Sequence, residues 1–214
     1  MLEADLRAAL ERDELVLFYQ PQLTADGTRI VAVEALARWR HPTQGLVPPN
    51  MFIPLAERIG LISAIGDWAL RQACRDLARW PTLDVSVNVS PRQFDNPDFA
   101  DHALAIVRSE NADPRRIELE ITENVLIDQP ERGRAILAAA RAHGFRTALD
   151  DFGTGYSSLS YLRHLALDRI KIDRSFVSEV NIPQGAAIVH AVAALGRALG
   201  LKVTAEGVET REQQ

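Results

Sequence analysis

The strongest constraint on this chain is a rhythm that sets in after Pro81. Short apolar strands alternate with amphipathic segments of helix length, and the strands end on acidic, amide or ammonium side chains. Strand-like runs are predicted over 85–89, 117–121, 145–149, 169–172 and 202–205, with helices over 97–109, 131–143, 157–164 and 186–199. Gly144 and Gly200 stand where helix C-caps belong. Strands joined through helices run parallel, because each helix carries the chain back to the same end of the sheet. Upstream, 15–23 and 30–36 also read as strands, and the Asp26-Gly27 turn between them is too short for a crossover, so this pair is predicted antiparallel. Helical patterns cover 2–14, 51–58 and 63–80, the last with Ser63 as N-cap, while His41 to Asn50 reads as a loop of turn formers. Seven strands result. A (β/α)8 barrel fits best, and an open doubly wound sheet is the rival. The chain ends at Gln214, where a helix after the seventh strand should begin, so a C-terminally truncated barrel with open edges is expected.

Composition narrows the function. With 214 residues and 47% hydrophobic content, one core and one main domain are expected, 15–214, preceded by a linker-like helix over 1–14. The formal charge is -5 and no Lys/Arg stripe forms, which argues against a DNA- or RNA-binding face. Cys74 is the single cysteine and sits in a helical pattern, so it reads as a buried thiol. The longest apolar stretch, 186–195, is interrupted by His190 and is too short to cross a bilayer, so this segment is expected to be soluble, cytoplasmic and free of membrane contact.

Function collects at the C-terminal ends of strands in parallel α/β folds. Those ends carry Glu34, Asn88, Glu120, Asp150, Asp151, Lys171 and Glu206. Carboxylates gathered at one mouth repel unless a cation or proton offsets them, and all-oxygen ligand sets select Mg²⁺, Mn²⁺ or Ca²⁺. The Asp150-Asp151 pair suggests two ions, one carboxylate bridging them or each serving its own, an arrangement suited to displacement at phosphorus. Lys171 either neutralises charge or orients the attacking water. Competing motifs fail. Asp151-Phe152-Gly153 lacks the other kinase elements, Gly153-Thr154-Gly155 lacks a P-loop ending, the histidines lack zinc spacing, and no G-x-S-x-G elbow occurs.

At these residues the sequence resembles the EAL domain family of bacterial cyclic di-GMP phosphodiesterases. The matches run in family order: Tyr19-Gln20-Pro21, Glu34-Ala35-Leu36 with Arg38, Asn88-Val89-Ser90, Glu118 to Glu123, Asp150 to Gly155, Lys171-Ile172-Asp173 and Ala205 to Glu209. The resemblance implies a modified TIM (β/α)8 barrel with an antiparallel first strand. It implies that Glu34, Asn88, Glu120, Asp150, Asp151 and Glu206 bind metal, that Lys171 assists the hydrolytic water, and that Glu206 shares in proton transfer. Arg38 would contact substrate phosphate, and Gln20, Leu36, Asp173 and Glu209 would serve the substrate groove. Glu123 would hold the loop 151–158, which in the family couples metal binding to dimer contacts. The reaction implied is hydrolysis of cyclic di-GMP to linear pGpG with two Mg²⁺ or Mn²⁺ ions, Ca²⁺ acting as an inhibitory ion. A homodimer, and fusion to a GGDEF or sensory domain in a larger protein that could itself be membrane-anchored, are part of the same expectation. Family members continue with a further helix, a final strand bearing a Gln-Gly pair and a closing helix. The alternatives are a catalytically inactive cyclic di-GMP receptor and a protein-interaction barrel; either predicts no turnover, and the second predicts indifference to loss of Asp150 and Asp151.

Overall fold

Alternation of apolar and polar residues over two neighbouring segments builds the first hairpin of the computed structural model, which describes residues 2–123, 130–153 and 162–214. β1 (Leu15–Leu23) and β2 (Ile30–His41) pair antiparallel, as expected, with Gln20 opposite Glu34 and Phe18 opposite Leu36. β2 continues beyond Leu36 to His41 because β3 (Gly45–Val47) folds back onto it. That corrects both the loop predicted there and the count of seven strands. A strand this short carries no readable period, and only its partner defines it.

β4 (Asp84–Val89), β5 (Ile117–Thr122), β6 (Arg146–Phe152), β7 (Arg169–Ile172) and β8 (Lys202–Ala205) follow in parallel. The order β1-β2-β4-β5-β6-β7-β8 never reverses, with β3 attached to β2. A doubly wound sheet requires a reversal, so the rival topology is excluded. Every step moves one strand the same way, and the sheet curls as part of a modified TIM barrel. Among the described residues no ladder joins β8 to β1.

The helices are α1 (Leu2–Ala9), α2 (Pro49–Arg58), α3 (Ile62–Leu77), α4 (Phe99–Ser109), α5 (Pro130–Ala142), α6 (Arg174–Ser178) and α7 (Pro183–Leu199). α3 opens one residue before Ser63, with Leu61 at the cap position and no side-chain cap, so the predicted Ser63 cap is corrected. α6 is too short to show a period; Asp173 starts it by accepting from the Ser175 amide at 3.0 Å. α7 ends on Gly200 at φ 71, as a left-handed cap requires. The helix predicted over 157–164 falls for the most part outside the described residues.

Core and site lie on opposite faces of the same strands. Val33, Val85, Val87, Leu119, Leu149 and Ile170 point outward and pack with residues of α3, α4 and α5, such as Leu77, Val107 and Ile136. Cys74 is buried there as expected, and burial pushes its thiol up to about 12. A second cluster joins Leu6 and Ala9 of α1 to Trp39 and Phe52. The inward face alternates with the outward one and carries Glu34, Ser86, Glu118, Glu120 and Lys171. Barrel interiors are ordinarily filled by branched apolar side chains, and this one is polar instead.

Candidate functional site

Five parallel strands and β2 each bring one or two polar groups to the same end of the sheet. At their centre is Lys171, 1% exposed, on β7. Its ammonium lies 2.6 Å from Glu120 Oε2, 2.6 Å from Glu206 Oε1, 3.1 Å from Glu34 Oε2 and 3.2 Å from Asp150 Oδ1. An ammonium has three N–H donors, so four carboxylates cannot all be satisfied by it. Burial lowers the Lys171 pKa, but the surrounding carboxylates outweigh that and hold it above the ordinary lysine value.

Asp150 and Asp151 present a geometric problem, because neighbours on a regular strand face opposite ways. The β6–β7 register shifts between Leu149 and Phe152, and Asp151 adopts φ 53 in the left-handed region. The Asp151 amide donates to Asp150 Oδ1 at 3.0 Å. This bulge turns both carboxylates to the mouth, at a local backbone cost of about 1–3 kcal/mol. Two triads result. Glu34, Glu120 and Asp150 form one, and Asp150, Asp151 and Glu206 the other, with one carboxylate oxygen from each member lying within 4.8 Å of the rest. Asp150 belongs to both.

The donor set fits a divalent cation. Glu120 Oε1 is buried with no hydrogen-bond partner, whereas its other oxygen accepts from Lys171. An orphaned buried carboxylate oxygen is costly, and a cation at the triad would satisfy it. Burial pushes the Glu120 carboxyl up to about 8, with Lys171 opposing and Glu34 and Asp150 adding to the rise. Burial also raises Asp151, reinforced by Asp150 and Asp173, and burial raises Glu206 against the pull of Lys171. Five carboxylates around one ammonium are an excess of negative charge that a second kind of cation would offset.

The other anticipated residues are placed as follows. Asn88 stands beside Glu34, its amide donating to Glu34 Oε1 at 2.9 Å. Gln20 is opposite Glu34 across the β1–β2 ladder. Leu36 and Arg38 continue the Glu34 face along β2. Glu123 is buried and accepts from the Gly153 amide at 3.4 Å, at the start of the loop whose remainder lies outside the described residues. Asp173 caps α6, where burial opposes but hydrogen bonds from Ser175 hold its carboxyl below the ordinary range. Glu209 is exposed, and its backbone amide donates to Gln213 at 2.7 Å. Neither Asp173 nor Glu209 is among the carboxylates paired with Lys171.

Phe18 was not anticipated. It is 43% exposed, pairs with Leu36 across the ladder, and carries the Arg38 guanidinium 5.7 Å from its ring centre. Its spacing of two from Gln20 on one strand was the signal available in the sequence.

The family profile described as EAL domain matches residues 3–214. This chain belongs to the EAL domain family. A solved structure of an EAL-type protein, the Pseudomonas aeruginosa MucR phosphodiesterase in complex with c-di-GMP, superposes with TM-score 0.95 at 44% identity, covering 99% of this chain and 88% of that one. Whole MucR, named a bifunctional diguanylate cyclase and cyclic di-GMP phosphodiesterase, is 44% identical over 216 residues, 98% of this chain and 32% of MucR. The Escherichia coli cyclic di-GMP phosphodiesterase PdeR is 39% identical over 217 residues, 99% of this chain and 33% of PdeR. The chain thus spans about a third of the length of these curated relatives. Among the described residues no helix of the EAL fold is long and apolar enough to cross a membrane.

Proposed function

We propose that this chain is a divalent-metal-dependent phosphodiesterase that hydrolyses cyclic di-GMP to linear pGpG. The observation that carries the reading is the shared carboxylate: Asp150 joins two oxygen triads, one of which includes Glu120, whose Oε1 is buried without a hydrogen-bond partner. The names of MucR and PdeR support the substrate. Glu34, Asn88, Glu120, Asp150, Asp151 and Glu206 would hold two Mg²⁺ or Mn²⁺ ions. When bound, such ions acidify a coordinated water and draw off charge developing on the phosphoryl oxygens. Ca²⁺ accepts the same ligands with looser geometry and would occupy the site as an inhibitor.

The chain's own groups do the rest. Lys171 faces the carboxylates and would orient the attacking water. Formation of pGpG joins the water oxygen to phosphorus and breaks a P–O3′ bond, and Glu206 at the edge of the cluster would relay the proton that the water loses to the departing 3′-oxygen. Arg38 would bind the phosphate not under attack, with Gln20 and Leu36 beside it. Phe18 offers an exposed ring face for a guanine. Asp173 and Glu209 would act at the periphery of the groove, and Glu123 would hold the loop that begins at Gly153. A cytoplasmic homodimer in a larger protein with a GGDEF or sensory domain completes the reading.

The test is product analysis. Purified protein with Mn²⁺ is expected to convert cyclic di-GMP to pGpG, and both a chelator and Glu34→Ala are expected to abolish the conversion. Absence of pGpG with parent and Glu34→Ala behaving alike would overturn it, and tight nucleotide binding without turnover would identify a receptor instead.

Proton competition gives a second expected result. A cation at Glu120 must displace a proton held with a pKa of about 8. Mn²⁺ affinity measured by calorimetry is therefore expected to tighten from about pH 6 to about pH 9, with protons released at the lower value. Affinity independent of pH across this range would remove Glu120 from the ligand set.

A further inference from the structure

Beneath the carboxylate mouth, the inward face carries a chain of hydrogen bonds that links β1, β4, β5, β7 and β8. Gln22 on β1 donates through Nε2 to Ser86 Oγ on β4 at 3.3 Å. Ser86 Oγ donates to Glu118 Oε1 on β5 at 3.2 Å. Arg169 on β7 donates through Nε to Glu118 Oε2 at 3.0 Å and through Nη1 to Thr204 Oγ1 on β8 at 2.7 Å. Ser86 is fully buried and Glu118 is 4% exposed, so the bonds form where water competes least.

Each member lies one strand repeat from a residue of the site. Gln22 precedes Gln20 in space, because β1 runs the other way. Ser86 underlies Asn88, Glu118 underlies Glu120, Arg169 underlies Lys171, and Thr204 underlies Glu206. Residues two apart share a face and are about 6.6–6.8 Å apart along the strand. Bonds that fix these strands relative to one another therefore bear on the distances between Asn88, Glu120, Lys171 and Glu206 further along them. Metal sites tolerate little error in ligand spacing, and carboxylates that repel one another cannot hold that spacing themselves.

We infer that Gln22, Ser86, Glu118, Arg169 and Thr204 form a positioning belt that holds the ends of β4, β5, β7 and β8 at the spacing that Asn88, Glu120, Lys171 and Glu206 need around a metal ion. The inference rests on the metal-site reading of the proposed function. The belt touches neither substrate nor ion. Its planar Arg169–Glu118 pair does what a point charge cannot, since the guanidinium bonds two strands, β5 and β8, from fixed directions on β7.

Two variants test it without leaving a charge buried alone. Thr204→Val removes one hydroxyl at constant shape. Glu118→Gln with Arg169→Met removes the pair together. Mn²⁺ dissociation constants are measured by calorimetry beside melting temperature and pGpG formation at saturating Mn²⁺. The double variant is expected to bind Mn²⁺ about tenfold more weakly, with Thr204→Val intermediate. Arg169→Lys keeps the charge and is expected not to restore affinity. Variants that bind Mn²⁺ as the parent does, or full rescue by Arg169→Lys, would overturn the belt. A parent that binds Mn²⁺ without making pGpG would sink the catalytic reading while the affinities still decide the belt. A parent that binds no Mn²⁺ would overturn both.

Discussion

Asp150→Asn is expected to lower turnover of cyclic di-GMP by about three orders of magnitude while leaving the metal-free protein no less stable than the parent. The first half follows from the shared position of Asp150, which belongs to both oxygen triads, so one substitution removes a carboxylate from each. The second half follows from the charge balance. Lys171 keeps Glu120 and Glu206 at 2.6 Å and Glu34 at 3.1 Å when Asp150 is neutralised. Asparagine still offers an oxygen to the Asp151 amide, so the bulge retains its bond. What disappears is one of five mutually repelling carboxylates. Product formation and a melting curve in chelator decide the matter together. A metal-free melting temperature well below the parent's would show that Asp150 is held mainly as a partner of Lys171, and turnover within tenfold of the parent would rule out a shared ligand.

Lys171→Met should act in the opposite sense on stability. The substitution keeps the stem and removes the charge, leaving Glu34, Glu120, Asp150 and Glu206 without their common partner. Removing one member of a buried ionic group costs about 3–5 kcal/mol, which for a chain of this size corresponds to a fall in melting temperature on the order of 10 °C. The orphaned carboxylates would take up protons, so the deficit is expected to be larger at about pH 9 than at about pH 6. Mn²⁺ should recover part of the lost stability, since it binds only the folded site. Turnover should stay low even at saturating Mn²⁺, because the group proposed to orient the water is gone. An unchanged metal-free melting temperature would mean that the carboxylates are protonated or solvated in the parent and that Lys171 is not their counter-ion.

Much of this site was legible in the linear chain for a local reason. Alternating apolar residues mark strands, helix caps mark where each strand must begin again, and the C-terminal ends then follow by counting. Glu34, Glu120, Lys171 and Glu206 were found that way, and the strands 169–172 and 202–205 match β7 and β8. Elements shorter than one clear period were not legible. β3 exists only because β2 offers it a ladder, and α6 is a single short turn started by Asp173.

The sequence by itself determined the βα order, the family and the identity of the groups at the strand ends, because each of these depends on neighbours along the chain. Tertiary structure decided how those groups meet. It placed Asp151 beside Asp150 through a bulge and φ 53, which no strand pattern foretells. It drew three carboxylates from three strands, and Glu206 from just past the end of β8, onto one ammonium. It also turned the Glu118 and Arg169 side of each strand inward, so that residues which read as ordinary alternating polar positions became a buried chain of bonds. A period of two states that one face differs from the other, and only the direction in which the sheet curls states which face is enclosed.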